Sequence, residues 1–346
     1  MKAAVLRAGQ VVVRDDVAEP APGFGEVLVQ VRACGICGSD LHFVKHGATM
    51  LELTSQMEGT PVLGEGPDLD LGRDVFMGHE FAGEVLEIGP DTVGPPPGTI
   101  VTSIPIMMTM AGVRGLVYTN DLLCGYGERM LLSAPMLLPV PNGLDPRHAA
   151  LTEPMAVGLH AVNRSGIIAG DGALVLGCGP VGLAVIAALR MNGIGPIVAS
   201  DFSPARRATA ITMGADEAVD PSVEPAFGAW ARAGGGRPVV VFEAIGVPGI
   251  IDEVLRLAPQ GTRIVVVGVC MGLDTITPFY GIGKELSIQF VLGYDPMEFA
   301  ESLRTIAEGE VDVTPLITGE VGLDGVPDAF AALANPDQHC KILVVP

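Results

Sequence analysis

Two textures of hydrophobic residues divide the chain. Up to about residue 140 the apolar runs are short and separated by turn residues, which is typical of strands in an all-β region. After about residue 151 the apolar runs are continuous and alternate with helix-length stretches, which predicts parallel strands buried on both faces. The predicted strands are 3–6, 11–13, 26–31, 81–88 and 99–102 in the first texture, and 173–176, 197–200, 239–242 and 263–267 in the second.

Helix-start residues stand between the strands of the second texture. Ser203 and Pro204 precede a helical stretch, and Pro248 precedes another. Repetition of strand and helix indicates a doubly wound sheet, so the fold class is α/β.

The last part of the chain reverts to the first texture and ends in a strand-like run over 341–345. We expect this tail to complete the first domain. The predicted domains are a β-rich catalytic domain over 1–150, completed by 286–346, and a doubly wound domain over 151–285.

Composition and charge exclude several classes of protein. Of the 346 residues 49% are hydrophobic and 17% are charged, which describes an ordered globular chain. The net charge of -20 would repel nucleic acid and anionic lipid. Charge interrupts the N-terminus before a signal-peptide core could form, and Gly and Pro interrupt the long uncharged runs. We therefore expect a cytoplasmic protein with neither a membrane nor a nucleic-acid partner.

A glycine-rich turn lies between the predicted strand 173–176 and an apolar helix, a setting that makes a weak motif informative. The first glycine allows a tight turn, the second lets the backbone approach a pyrophosphate, and the third permits close helix–strand packing. The helix N-terminus then faces the phosphates. The predicted cofactor-binding residues of this turn are Gly177, Gly179, Pro180, Val181 and Gly182.

The end of the next strand bears on the choice of dinucleotide. Asp201 stands where a carboxylate accepts hydrogen bonds from the adenosine ribose and repels a 2′-phosphate. Arg206 and Arg207 follow closely, and an arginine there can accommodate a 2′-phosphate. Because the position of Asp201 is the diagnostic one, we expect NAD, with Arg206 also in the cofactor site.

Metal-ligating side chains cluster in two places. Residues 34–42 contain two thiols, a hydroxyl, a carboxylate and an imidazole, and a Gly-His-Glu sequence precedes another strand. Catalytic zinc takes about three protein ligands and keeps one position open. Cys37, His79 and one glutamate satisfy that need. A redox pair of Cys34 and Cys37 is the alternative, but the βαβ setting of such a pair is lacking.

These stretches resemble the zinc-containing medium-chain dehydrogenases, the superfamily of alcohol, sorbitol, butanediol and threonine dehydrogenases, over essentially the whole chain. The resemblance implies a GroES-like catalytic domain and a Rossmann domain. It also implies Zn²⁺, NAD and hydride transfer between a secondary alcohol or vicinal diol and its ketone. A homodimer or homotetramer associated through the nucleotide domain is implied as well.

The resemblance further assigns site residues. Glu153 stands where simple alcohol dehydrogenases carry a cysteine ligand, although a helix-start carboxylate is an equal explanation. The third ligand thus stays open between Glu80 and Glu153. The implied metal ligands are Cys37, His79, Glu80 and Glu153, and the implied proton-relay residues are Ser39 and His42.

The chain departs from the family pattern in two regions. The four cysteines of a structural zinc are replaced by a methionine-rich segment over 103–113, so we predict one zinc per chain. Such methionines form adaptable contact surfaces, and we expect a subunit interface or a substrate-pocket wall. The stretch between His42 and His79 is also long, which predicts an extra loop over 45–74 beside the metal.

Two other functions remain open at this point. One is a zinc-free, NADPH-dependent carbonyl or quinone reductase of the same superfamily, against which Cys37, His79 and Glu80 argue. The other is a catalytically inactive nucleotide-binding structural protein, against which the intact relay and glycine positions argue.

Overall fold

The computed structural model describes residues 1–57, 69–110, 112–335 and 337–346. The chain divides into two compact units. Unit 1 comprises Met1–Glu153, Ile306–Glu308 and Ile317–Pro346, and unit 2 comprises Pro154–Thr305 and Gly309–Leu316. Within these described ranges no helix combines the length and apolar character needed to cross a bilayer.

The secondary structure consists of many short strands followed by alternating strands and helices. In chain order the strands are β1 (Ala3–Arg7), β2 (Gln10–Arg14), β3 (Glu26–Gly35), β4 (Val75–Met77), β5 (Glu80–Ile88), β6 (Ile100–Ser103), β7 (Ile106–Thr109), β8 (Gly112–Gly115), β9 (Tyr118–Thr119), β10 (Arg129–Ser133), β11 (Leu137–Pro139), β12 (Gly172–Leu176), β13 (Ile197–Ser200), β14 (Glu217–Val219), β15 (Val239–Glu243), β16 (Arg263–Val266), β17 (Ser287–Phe290), β18 (Ile317–Val321) and β19 (Lys341–Val344). The helices are α1 (Gly38–Gln56), α2 (Pro146–Ala149), α3 (Thr152–Arg164), α4 (Pro180–Met191), α5 (Pro204–Thr212), α6 (Ala226–Ala233), α7 (Ile250–Leu257), α8 (Pro278–Lys284), α9 (Pro296–Ala307) and α10 (Val326–Leu333), with short 3-10 turns at Ala134–Met136, Thr314–Leu316 and Leu323–Gly325.

Unit 1 is built around β3. The strand order of the larger sheet is β11-β6-β5-β3-β19-β18, and β10 also pairs with β3. A smaller sheet has the order β2-β1-β4-β9. Val27, Val29 and Val31 occupy alternate positions of β3 and are buried. Alternate residues of a strand share one face, so this face lies against the core.

The pairing of β3 positions the candidate metal residues. β3 and β5 are antiparallel, and Gly35 at the end of β3 pairs with Glu80 at the start of β5. β19 joins the other side of β3, with Leu343 opposite Gly35. The turn after β3 and the residue before β5 therefore meet at one end of the sheet.

Part of the expected extra loop over 45–74 is helical. α1 continues to Gln56 and is kinked at His46, whose backbone is not helical. The run of good helix formers after the kink, including Met50, Leu51 and Glu52, explains why this stretch is not a loop. Residues 69–74 are neither helix nor strand, and the part of that prediction over 58–68 lies outside the described residues.

The methionine-rich segment forms the hairpin β7–β8. Met107 is buried and its sulfur accepts a hydrogen bond from the Ser133 hydroxyl at 3.1 Å. Met108 and Met110 are exposed. One methionine thus anchors the hairpin while two others lie at its surface.

Unit 2 contains a six-stranded parallel sheet in the order β14-β13-β12-β15-β16-β17. β12 and β15 are buried at every residue, as continuous apolar runs predict. The predicted doubly wound α/β sheet is confirmed. The strand order reverses between β12 and β15, the place where such sheets bind ligands.

The boundary of the tail differs from the expectation. Residues 286–305 and 309–316 belong to unit 2, whereas we expected them to complete the first domain. The reason is that β17 pairs in parallel with β16 and extends the sheet of unit 2. Only Ile306–Glu308 and Ile317–Pro346 return to unit 1.

Candidate metal and nucleotide sites

Cys37, His79 and Glu80 come together in unit 1. One ligand atom from each lies within 4.8 Å of the others. Cys37 is the residue before α1, and His79 immediately precedes β5. His79 and Glu80 are buried, and Cys37 is partly exposed. A thiol, an imidazole and a carboxylate at this spacing are a donor set that zinc prefers.

Asp40 lies behind this cluster and was not among the residues predicted for the site. Its carboxylate accepts hydrogen bonds from the Tyr126 hydroxyl at 2.5 Å and from the Cys37 backbone N–H at 3.1 Å. Its other oxygen faces Nδ1 of His79 at 3.6 Å. A carboxylate behind a ligating histidine orients the ring, so Asp40 is placed to position His79. Its place in the first turn after Cys37 was the available signal.

The electrostatics of the cluster favour a cation. Burial alone would lower the pKa of His79, but the negative charges of Asp40, Cys37 and Glu153 outweigh it and raise the pKa well above its ordinary value. Nδ1 of His79 is buried without a hydrogen-bond partner among the described residues. A divalent cation would supply positive charge that stabilises the negative groups around His79, so the residues present fit a metal ion.

The two candidate glutamates have different surroundings. Glu80 forms a buried ion pair with Lys341, whose Nζ lies 2.6 and 2.7 Å from its two carboxylate oxygens. Burial by itself would lower the pKa of Lys341, but the Glu80 carboxylate raises it far above the usual range. Glu153 is buried in the first turn of α3 and acts electrostatically on His79. Sequence reasoning missed Lys341, because a lone lysine in a terminal strand carries no motif.

The predicted relay residues lie on the helix that follows Cys37. Ser39 and His42 are three residues apart in α1 and therefore share a face. Burial, and then the charges of His46 and Lys45, lower the pKa of His42. His42 is thus kept neutral to a lower pH than an ordinary histidine, which suits a proton acceptor.

Tyr118 is a further buried group beside the relay. Its ring stacks on Phe43 at a centroid distance of 3.9 Å and meets the edge of His79 at 6.5 Å. Burial, followed by the charge of Asp40, raises the pKa of Tyr118 well above its ordinary value, and the Ser39 hydroxyl opposes that rise. The phenol is therefore a neutral hydroxyl in contact with both the relay and the metal cluster.

The redox alternative for the cysteine pair is not supported by its geometry. The Cys34 thiol is buried in β3, and burial raises its pKa well above the ordinary value. A reactive thiol needs the opposite, because the thiolate is the nucleophile. Cys34 is a packing residue of the strand.

A second group of metal-ligating side chains lies in unit 2 and is already satisfied. Ligand atoms of His160, Asp295 and Glu298 lie within 4.8 Å of one another. However, Glu298 accepts hydrogen bonds from the Asp295 backbone N–H and from Asn163, and it pairs with His160 at 2.7 Å. This arrangement is a helix cap at the start of α9.

In unit 2 the glycine-rich turn joins β12 to α4. Gly177 has φ of 89°, in the left-handed region that favours glycine. A Cβ on Gly182 would lie 1.9 Å from the Gly177 carbonyl oxygen, so close packing demands glycine there. A Cβ on Gly179, before Pro180 and Val181, would meet only an Arg206 nitrogen at 3.9 Å. The turn leaves open space at the one glycine whose predicted role is to admit a pyrophosphate.

The charged groups near this turn have separate tasks. Asp201 accepts hydrogen bonds from the backbone N–H groups of Cys178 and Ser203, each at 2.8 Å. Arg207 binds the carbonyl oxygens of Asp201 and Phe202 and pairs with Asp220. Arg206 extends beside Gly179, and its Nε is buried without a hydrogen-bond partner within the part of the chain that is described. Arg206 is therefore the arginine available to a cofactor.

Known proteins show the same organisation. Residues 23–142 match the alcohol dehydrogenase GroES-like domain, and residues 180–308 match the zinc-binding dehydrogenase family. The (R,R)-butanediol dehydrogenase of Bacillus subtilis (strain 168) is 33% identical over 96% of each chain. The chain belongs to the zinc-containing medium-chain dehydrogenase superfamily.

Other relatives in this superfamily cover the chain equally well. The sorbitol dehydrogenase of Bacillus subtilis (strain 168) is 28% identical over 100% of this chain and 97% of its own. The crystal structure of 2R,3R-butanediol dehydrogenase from Bacillus subtilis has a TM-score of 0.82 and 31% identity, covering 100% of this chain and 99% of that one. A relative from Sinorhizobium meliloti 1021, bound to NADP, has a TM-score of 0.81 and 30% identity, covering 100% and 99%.

Membership of this superfamily confirms several predictions. Unit 1 is a GroES-like domain and unit 2 is a Rossmann-like domain. The protein is an oxidoreductase of the alcohol dehydrogenase type that uses zinc and a pyridine nucleotide on small-molecule substrates.

Proposed function

We propose that the protein is a zinc-dependent, NAD-linked dehydrogenase that interconverts a secondary alcohol or vicinal diol with its ketone. The observation that carries this proposal is the cluster of Cys37, His79 and Glu80, followed directly after Cys37 by the helix α1, which carries Ser39 and His42. Butanediol and sorbitol dehydrogenases among the relatives support the substrate class. One zinc per chain follows from the absence of a second cysteine cluster from the sequence.

The residues of unit 1 have distinct tasks in this reaction. When bound, zinc supplies Lewis-acid activation of the alcohol oxygen and the nicotinamide supplies a hydride acceptor. Cys37 and His79 hold the metal, and Asp40 orients His79. Ser39 accepts the alcohol proton, and His42 passes it toward solvent. The buried Tyr118 helps to keep water away from Ser39.

NAD is the proposed dinucleotide. The Asp201 carboxylate at the end of β13 would repel a 2′-phosphate and accept hydrogen bonds from ribose hydroxyls. Arg206 would bind the pyrophosphate side of the cofactor beside Gly179. The NADP-bound relative makes the choice worth testing directly. Asp201→Ala should raise the KM for NAD and lower that for NADP, and an unchanged ratio would contradict this role.

We also propose that the protein is a homodimer or homotetramer joined through unit 2. β17 is the edge strand of the parallel sheet, and an exposed strand edge invites pairing with a second copy. Large apolar side chains are exposed on and around this edge, namely Phe279, Ile282, Phe290 and Leu292. Ile282→Glu should convert the oligomer to monomers in light scattering, and an unchanged mass would contradict this interface.

One experiment tests the main proposal. Metal content and turnover with NAD and NADP are measured on one sample against a panel of secondary alcohols and diols. About one zinc per chain with NAD-linked turnover is the expected result. Turnover of carbonyl compounds with NADPH and no metal would favour a zinc-free reductase instead. Absence of any turnover, with nucleotide binding retained, would favour an inactive structural protein.

A further inference from the structure

The hydroxyl of Tyr118 is the basis of a further inference. The residue is buried, with 2% of its surface exposed. Its hydroxyl oxygen is shielded from solvent and has no hydrogen-bond partner among the described residues. Buried hydroxyl groups in proteins are nearly always hydrogen-bonded, because an unpaired one keeps the full cost of its lost hydration. The unpaired hydroxyl of Tyr118 therefore needs an explanation.

Packing holds the phenol of Tyr118 in place. Its ring stacks on Phe43 at an interplanar angle of 7° and meets the His79 ring edge-on. Its backbone is paired with Met77 between the strands β9 and β4, two residues before His79. Because both the ring and the backbone are held, the hydroxyl cannot turn to solvent to find a partner. It stays beside the metal cluster.

A second buried tyrosine in the same unit shows the usual arrangement. Tyr126 is 1% exposed, and its hydroxyl donates to the Asp40 carboxylate at 2.5 Å. The chain thus provides a partner for this phenol and provides none for Tyr118 within the described ranges. Since the two residues are almost equally buried, burial alone does not explain the difference between them.

Neither the metal nor the relay accounts for the Tyr118 hydroxyl. Zinc in proteins is bound by cysteine, histidine and carboxylate side chains, so a phenol is not one of its usual ligands. Ser39 lies near enough to influence the pKa of Tyr118, but it does not satisfy the hydroxyl. In the proposed reaction the Ser39 hydroxyl is engaged with the alcohol that is oxidised. A polar group on the neighbouring part of the substrate is the partner that remains.

We propose that Tyr118 is a specificity-determining residue, whose hydroxyl binds the second hydroxyl of a vicinal diol while the first is oxidised. This inference rests on the proposed zinc-dependent function and narrows its substrate class to vicinal diols. A phenol hydroxyl both donates and accepts, so it suits a substrate hydroxyl. A monoalcohol would leave the buried hydroxyl unpaired, and sites of this kind reject substrates that lack the matching polar group.

The test compares matched substrates with the zinc-loaded, full-length enzyme and NAD. Propylene glycol and isopropanol differ by one hydroxyl, as do cyclohexanediol and cyclohexanol. Wild type should prefer the diol of each pair in kcat/KM. Tyr118→Phe removes only the hydroxyl and should lower this preference by about tenfold or more, mainly through a higher KM for the diol.

Thermal unfolding without substrate gives a readout that does not depend on activity. Tyr118→Phe removes a buried hydroxyl that has no partner, so its Tm should equal or exceed that of wild type. Tyr126→Phe is the matched control, because it removes a phenol hydroxyl that does have a partner. Its Tm should fall, and its kcat/KM for the diol and for the monoalcohol should change by the same factor.

Three results would overturn the inference. Full preference for the diol in Tyr118→Phe would show that the hydroxyl does not bind substrate. A Tm of this variant well below that of wild type would show that the hydroxyl already has a partner in the folded protein. Wild-type protein that uses monoalcohols as well as the matched diols would contradict the narrowed substrate class. Wild-type protein that oxidises neither kind of alcohol would instead contradict the proposed function itself.

Discussion

The metal cluster of unit 1 and the glycine turn of unit 2 are built in contrasting ways. The metal cluster collects side chains from separate parts of the chain, namely the turn after β3 and the start of β5. The glycine turn is one continuous stretch whose shape follows from contacts within it and with the adjacent loop. Buried charge determines the first site. The absence of a Cβ atom at Gly177 and Gly182 determines the second.

The largest expected effect is a loss of metal and turnover that leaves nucleotide binding at the glycine turn intact. Cys37→Ser should remove the metal and lower turnover by about three orders of magnitude, because several kcal/mol of transition-state stabilisation come from a catalytic metal. Nucleotide binding should stay unchanged, since the glycine turn is untouched. Metal analysis and NAD titration check both halves. A variant with full zinc content and wild-type turnover would refute the site.

The second prediction compares two glycines of the same turn. Gly182→Ala should destabilise unit 2 by about 3 kcal/mol, which corresponds to a fall of roughly 8 °C in its Tm, because its Cβ collides with a backbone oxygen. Gly179→Ala has room for its Cβ and should leave the Tm unchanged. It should instead raise the KM for dinucleotide by about tenfold, through about 1.4 kcal/mol of lost binding. Thermal unfolding and cofactor kinetics distinguish the two, and equal losses of Tm would contradict the comparison.

The contrast also explains what the sequence could predict. The glycine turn and the positions of Asp201 and Arg206 near it were predictable because they follow from local spacing and a strand-helix setting. The proximity of Cys37 and His79 was predictable from ligand type. The ion pair between Glu80 and Lys341 was not, because Lys341 is distant in sequence and reaches Glu80 only through strand pairing.

The fold divides in the same manner. Continuous apolar runs predicted the parallel strands of unit 2, since burial on both faces leaves a clear pattern. The placement of β17 was not predictable, because its exposed, partly polar residues resemble those of the first texture. The helix after His46 was hidden because the kink interrupts its pattern.

The third prediction tests whether the Asp40 carboxylate strengthens metal binding by orienting His79. Asp40→Asn should weaken zinc binding by about 10- to 100-fold, the usual cost of removing a carboxylate behind a ligating histidine. Chelator competition measures the affinity. Tyr126→Phe is the matched control, because it removes a hydrogen bond to Asp40 but leaves the carboxylate facing His79. Its effect should be smaller, and a larger loss in Tyr126→Phe than in Asp40→Asn would contradict the proposed order of support.

The smallest predicted effect concerns His42 and the acid limb of alcohol oxidation. Burial is the main cause that lowers the pKa of His42, and the positive charges of His46 and Lys45 add to it. Lys45→Met removes one of these charges, so the pKa of His42 should rise and the neutral, proton-accepting fraction at a given pH should fall. The acid limb of kcat should therefore move to higher pH. The shift should be smaller than the amount by which burial lowers the pKa of His42, because burial is the larger cause.

Salt dependence distinguishes this electrostatic effect from a structural one. Lys45 is exposed, so high ionic strength should screen its charge and remove most of the difference between the variant and wild type. Lys2→Met, which removes an exposed lysine paired with Asp324 in the same unit, is the control and should leave the acid limb in place. An acid limb that moves to lower pH in Lys45→Met, or a shift that persists at high salt, would show that His42 does not titrate under the influence of Lys45.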